Sequence, residues 1–162
     1  MALQYSLMFE ERSLTQSMVT KVFKQLGFVT EQLVPLAGGF RVDEFNERIG
    51  FSMTVIDTLD MSFGWDSDYL EDEFMYQQHV SFKLYNSYDT EPEACELMLQ
   101  MVFSLLDMAG SDALLTFSDS EIFYRKNNAF YVNNDFGFWE HDSVKALIGT
   151  MEYQPFRAVV HI

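Results

Sequence analysis

The stretch DALLTFSDSEIFYRKNNAFYVNND, residues 112–135, decides the fold. It contains three short runs rich in branched and aromatic residues, at 113–117, 121–125 and 129–133. Such side chains suit a pleated, half-buried surface. Ser118-Asp119-Ser120 and Asn127-Asn128 separate the runs at hairpin distance, with residue types that favour turns. The expected structure is an antiparallel meander.

Immediately upstream the period changes. Ala94, Leu97, Met98, Met101, Val102, Leu105 and Leu106 recur at helical spacing and form an apolar face. Asp89 or Thr90 can cap this helix, Pro92 suits its first turn, and Gly110 stops it. Glu91, Glu93 and Glu96 favour the positive end of its dipole. Cys95 on the same helix reads as a buried or half-buried small hydrophobe, not a nucleophile.

Working outward, residues 4–9 alternate as a first strand. Ser13 opens SLTQ, a capping-box pattern with Gln16, and Leu14, Met18, Val22, Phe23 and Leu26 follow as an amphipathic helix ended by Gly27. Phe51, Met53 and Val55 alternate with Ser52, Thr54 and Ile56. Val80, Phe82 and Leu84 alternate with Ser81, Lys83 and Tyr85, which gives two further strands. Residues 28–42 fit no single period and are punctuated by Pro35 and Gly38-Gly39. A loop with a short helix is expected around 68–76, a last helix over 142–148 and a terminal strand over 156–161. The order reads β-α-β-β then β-α-β-β-β, which suggests two related halves without a residue-level repeat. The fold class is α+β: an antiparallel sheet with a C-terminal β-meander, covered by two main amphipathic helices. One domain is expected across residues 1–162.

Charge is the second strong feature. The chain carries 25 acids against 10 Lys and Arg, a formal net charge of −15 with a pI near 4.3. Residues 49–124 hold fifteen acids and one base, Lys83, a net −14; the two ends hold ten acids and nine bases. Phosphate affinity comes from Lys and Arg, so nucleic acid and anionic membranes are poor partners and a basic protein is the natural one. An acidic surface that merely aids solubility is the plain alternative. The single Cys95 rules out an internal disulfide framework and fits a reducing compartment. MALQYSLMFEER lacks the basic and long apolar regions of a secretory signal, and no stretch reaches the roughly 18 apolar residues of a membrane span. A soluble cytoplasmic protein is expected.

The densest acid cluster is GWDSDYLEDEF, residues 64–74. As a calcium loop it fails. Asp66 and Asp68 have the opening spacing, but Leu70 sits at the third ligand position and Glu71 replaces the turn glycine. His79, His141 and His161 are dispersed, with no paired His or Cys spacing for a transition metal. No nucleophile elbow is present, and Gly38-Gly39 is too short to cradle a phosphate and lacks a following Lys. No cofactor, metal or catalytic residue is assigned. Large aromatics ringed by charge combine anchoring area with orientation at an interface. The candidate partner-binding residues are therefore Trp65, Asp66, Asp68, Tyr69, Glu71, Asp72 and Glu73, with Trp65 as the anchor. Phe136, Phe138 and Trp139 sit among acids in the same way, although Phe74, Phe136 and Phe138 serve equally well as core residues.

MALQYSLMF at the start, residues 112–135 and FWEHDSVKALIGTMEYQPF at 138–156 occur in this order. Together they resemble bacterial immunity proteins against polymorphic toxins, in particular the swarm-inhibition toxin immunity (SitI-type) family of myxobacteria. Residues 28–78 carry the least of this resemblance. It implies a non-enzymatic cytoplasmic protein that binds and blocks one cognate toxin, and it supplies no catalytic residues. The charge map adds that the toxin is basic. The alternative from another class is a phage or mobile-element nucleic-acid mimic that inhibits a DNA-binding enzyme. A small hydrolase, the third reading, requires a deep pocket that pairs a His with a carboxylate.

Overall fold

The computed structural model describes residues 2–28, 33–42, 51–58, 62–67, 70, 72–85, 91–127, 129–133 and 153–155, with isolated positions 142 and 146. In chain order the elements are β1 (Ala2–Phe9), α1 (Gln16–Gln25), β2 (Val34–Leu36), β3 (Gly39–Val42), β4 (Phe51–Asp57), β5 (Phe63–Trp65), β6 (Phe74–Tyr76), β7 (Gln78–Tyr85), α2 (Glu91–Met108), β8 (Ala113–Phe117), β9 (Ser120–Lys126), β10 (Ala129–Val132) and β11 (Tyr153–Pro155). Nine strands form one sheet in the order β11-β10-β9-β8-β1-β7-β4-β3-β2, and β5 pairs with β6 as a separate ribbon. Neighbours in the large sheet are antiparallel except β10 and β11, which are parallel.

This is the expected α+β class, with the meander β8-β9-β10 in place. Its turns carry Ser118 and Asn127 at φ 54° and 50°, a conformation that short polar residues tolerate. The two βα units meet at the sheet centre, where β1 pairs with β7 in full register from Ala2↔Tyr85 to Phe9↔Gln78. They interleave: β1 is flanked by β8 of the second unit and β7 by β4 of the first. The crossover β7-α2-β8 thus spans one intervening antiparallel strand, β1.

Both helices lie on one face, where Leu7, Phe9, Met53, Val55, Val80, Phe82, Ala113 and Leu115 meet Val22, Phe23, Met98, Val102 and Leu105 in a single core. On α2 the buried surface is wider than the seven-residue face, because Leu99 and Phe103 are buried as well. The helix sits on the sheet and against α1 at once. Cys95 is half-buried. The cap of α1 differs from expectation. Thr15 is the N-cap, with its hydroxyl accepting from the Met18 amide at 3.2 Å, while the Ser13 hydroxyl donates to the Glu11 carbonyl. The far end closes as expected on Gly27 at φ 86°, where Phe28 N–H donates to Phe23 O and Gly27 N–H to Lys24 O.

Two buried polar groups join these layers. No base lies in the last turn of α2. Arg125 of β9, 7% exposed, supplies one from outside: its guanidinium donates to the carbonyls of Leu106 (2.6 Å), Ser111 and Ala109. A cation at a helix C-terminus satisfies its orphan carbonyls and opposes its dipole. Gln78, 1% exposed, accepts from Leu14 N–H and donates to Leu14 O, both at 2.9 Å, and also donates to Asp57 Oδ1 at 2.8 Å. One amide thereby fastens the β1–α1 connection to the start of β7. Of the expected helix at 142–148 only Asp142 and Ala146 are described, and both are helical; the strand at 156–161 and the cap at Asp89 or Thr90 lie outside the described residues.

Candidate functional site

Strand alternation gives the sheet a second face, opposite the helices. Met8, Leu114, Thr116 and Glu121 point there, and all are buried. A register shift between Leu115 and Thr116 lets both Ile122 and Phe123 enter the helix-side core and sets Glu121 opposite Thr116. A carboxyl group at 4% exposure needs partners. It receives them from the acidic stretch.

The β5–β6 ribbon is the route. β6 runs into β7 through Gln77, whose N–H donates to Phe9 O at 3.0 Å and whose side chain donates to Ser62 Oγ at 3.2 Å. The Gln77 carbonyl accepts from both the amide (2.9 Å) and the hydroxyl (3.1 Å) of Thr58. The root of the ribbon is therefore tied to β1 and to the end of β4. At the other end of β5, Trp65 Nε1–H donates to Glu121 Oε1 at 3.0 Å and Ser67 Oγ–H to Glu121 Oε2 at 2.9 Å. The Leu70 amide in turn donates to Ser67 Oγ at 3.1 Å. Both oxygens of Glu121 act as acceptors, so an acid of the meander holds the start of the acidic loop against β9.

This geometry corrects the expected short helix. Phe74, Met75 and Tyr76 are a strand paired with Trp65, Gly64 and Phe63 respectively. The apolar run that suggests a helix turn serves a two-stranded pairing instead. Of the candidate partner residues, Asp66, Asp72 and Glu73 are exposed around the ribbon, and Trp65 is half-buried with its indole N–H on Glu121. Asp68, Tyr69 and Glu71 lie outside the described residues, as do Phe136, Phe138 and Trp139.

Not every acid of the middle block serves a surface. Asp57 accepts from Gln78, Asp112 accepts from the Asn127 amide at 2.9 Å, and Glu121 is buried. Burial raises the Glu10 pKa, and the neighbouring Asp112 carboxyl raises it further by repulsion and a shared hydrogen bond. Beside Glu121, Tyr124 and Tyr131 stack at 4.5 Å with planes 7° apart. The Tyr124 phenol is pushed up by burial first, then by Tyr131 and Glu121. His79, at the foot of β7, has its pKa lowered by burial, and its ring centre is 6.1 Å from that of Tyr76.

Among the described residues no group of three or more His, Cys, Asp and Glu is placed to hold a metal ion. A shallow groove along α1 is lined by Gln16, Ser17, Thr20, Lys21, Lys24 and Leu33, with neither the His nor the carboxylate that a hydrolase needs. No described helix is long and apolar enough to cross a membrane.

A family model described as SitI3-like matches residues 3–143, most of the chain and all of the acidic ribbon. The chain belongs to the SitI3-like family. The resemblance carried by the two ends and the meander thus extends through the middle. No curated protein matches this SitI3-like chain. Membership places it with SitI-type immunity proteins, which implies an immunity role and a toxin as partner in general terms.

Glu121 is the residue that sequence reasoning missed. It stands in EIFYR as one acid in an apolar strand, next to a turn where a solvated carboxylate is ordinary. No local pattern marks it: the need of the Trp65 indole N–H for an acceptor emerges only once the fold half-buries that side chain.

Proposed function

We propose that the chain is a non-enzymatic, cytoplasmic immunity protein that binds and neutralises one cognate toxin domain through the acidic surface centred on Trp65, Asp66, Asp68, Tyr69, Glu71, Asp72 and Glu73. The observation that carries this reading is the ribbon itself. Its root is tied at Gln77, its start is held by Glu121, and it leaves Asp66, Asp72 and Glu73 exposed. Between residues 49 and 82 the sequence has no Lys or Arg to neutralise them. A toxin that acts on nucleic acid needs a basic surface, and fixed carboxylates facing it speed encounter and occupy the site. Neither nucleic acid nor a membrane is a partner in this reading.

The test is protection. An immunity gene normally lies directly beside its toxin gene, so cells that express the toxin domain encoded by the neighbouring gene should survive when this chain is co-expressed. Asp66→Asn, Asp72→Asn and Glu73→Gln combined should abolish survival while the variant remains soluble and folded. Full protection by that variant would refute the assignment of the surface.

A further inference from the structure

The ribbon has two unlike faces. Phe63, Trp65, Phe74 and Tyr76 share one face by register, and the bond from Trp65 to Glu121 marks it as the side turned toward the sheet. Gly64 and Met75 are paired on the other face, and alternation adds Glu73 and the directly following Asp66. A Cβ built on Gly64 would run into the Glu73 carboxylate oxygen and lie 3.2 Å from Met75 Sδ. The Glu73 carboxylate and the Met75 thioether are therefore drawn together over a bare glycine backbone. Met75 is 45% exposed there; the other large hydrophobic exposed among the described residues, Phe63, stands on the opposite face of the ribbon. Methionine is a soft, adaptable contact side chain, and here it stands exposed beside two carboxylates.

We propose that this outward face is the seat for one long basic side chain, a lysine or arginine of the toxin. Its methylene stem lies along Met75, and its charge meets the Glu73 carboxylate over Gly64 and Asp66 at the end of the neighbouring strand. Stem and head explain why an apolar and an acidic group share one small surface, since such side chains are apolar along their length and charged only at the tip. With no side chain at Gly64, the Glu73 carboxylate lies over the strand beside Met75. This inference rests on the immunity reading and narrows it: Met75 and Gly64, outside the acidic set, determine affinity, and Trp65 acts from the inner face by positioning.

The experiment measures binding of the purified wild-type chain, Met75→Ser, Gly64→Ala, the Asp66→Asn, Asp72→Asn, Glu73→Gln combination and the off-site control Glu11→Gln to the inactivated toxin domain encoded by the adjacent gene. Urea midpoints are taken on each variant. Gly64→Ala only pushes aside the end of a flexible Glu side chain, so its fold should survive. Met75→Ser and Gly64→Ala should each weaken binding about ten-fold, the scale of a central interface contact, while Glu11→Gln stays within two-fold of wild type. If the wild-type chain binds and loss of the ribbon acids weakens it, but Met75→Ser and Gly64→Ala both bind within two-fold, this inference falls and the immunity reading stands. If the wild-type chain does not bind that domain, both fall.

Discussion

Replacing Glu121 tests whether the acidic ribbon is held in place or merely happens to lie there. Its two oxygens accept from Trp65 Nε1–H at 3.0 Å and Ser67 Oγ–H at 2.9 Å. A hydrogen bond to a charged group contributes about 1.5–3 kcal/mol, and the cost of burying a carboxylate offsets part of that. Glu121→Gln keeps one acceptor oxygen and turns an amide N–H toward the other donor, for a net loss of about 1–2 kcal/mol. Glu121→Ala removes the carboxylate acceptor from both donors and should cost about 2–4 kcal/mol. For a chain of this size each kcal/mol lowers Tm by about 2–4 °C. The more specific readout is hydrogen exchange: the amides of 63–67 and 74–76 should lose protection in Glu121→Gln, while those of β1 and β8 keep theirs. A cycle with Trp65→Phe should give a coupling of about 1 kcal/mol. Coupling below about 0.3 kcal/mol, together with unchanged exchange over 63–76, would refute the latch.

The same approach applies elsewhere. Arg125→Ala leaves the carbonyls of Leu106, Ala109 and Ser111 without their donor and should lower stability by about 2–4 kcal/mol in urea unfolding. Arg125→Lys should recover less than half, since an ammonium cannot reproduce the planar fork. Gln78→Leu deprives both the amide and the carbonyl of Leu14 of partners, and should cost about 2–4 kcal/mol with the β1–α1 connection first to exchange. Burial holds the His79 pKa below its ordinary 6.5, so the unfolded chain binds a proton more readily than the folded one. Stability from this source is complete above pH 6.5 and is lost as pH falls toward the depressed folded value. The difference in unfolding free energy between wild type and His79→Gln should therefore be flat from pH 8 to 7 and move against wild type below 6.5; a flat difference to pH 5 would show that His79 is not desolvated.

What could be read from the sequence follows from how far each interaction reaches along the chain. Apolar periodicity is local, so β1, β4, β7, α2 and the meander stand out, and Gly27 ends α1 through a motif contained in six residues. The N-cap slipped because Ser13 and Thr15 both offer hydroxyls within three residues, and only the observed bend assigns the role to Thr15. The ribbon could not be read locally. Its strands are three residues each, one contains Gly64, and each is defined by a partner about ten residues away across the acidic loop. The side chains that fix it are more distant still: Glu121 lies 56 residues from Trp65, and Arg125 lies 19 residues from Leu106. Gln154-Pro155 resembles a loop, yet it lies in a parallel edge strand, where a missing N–H is tolerated. The acids of the loop were visible, whereas the division between those that face solvent and those that bind inward was not.

The most direct test of the central claim is the salt dependence of binding between this chain and the toxin domain encoded beside it, measured for wild type and for the Asp66→Asn, Asp72→Asn, Glu73→Gln combination. The account predicts that wild-type affinity falls steeply as salt rises and that the variant binds weakly with a much flatter slope. Equal affinity and equal slope for the two proteins would contradict it and move the interface away from the ribbon.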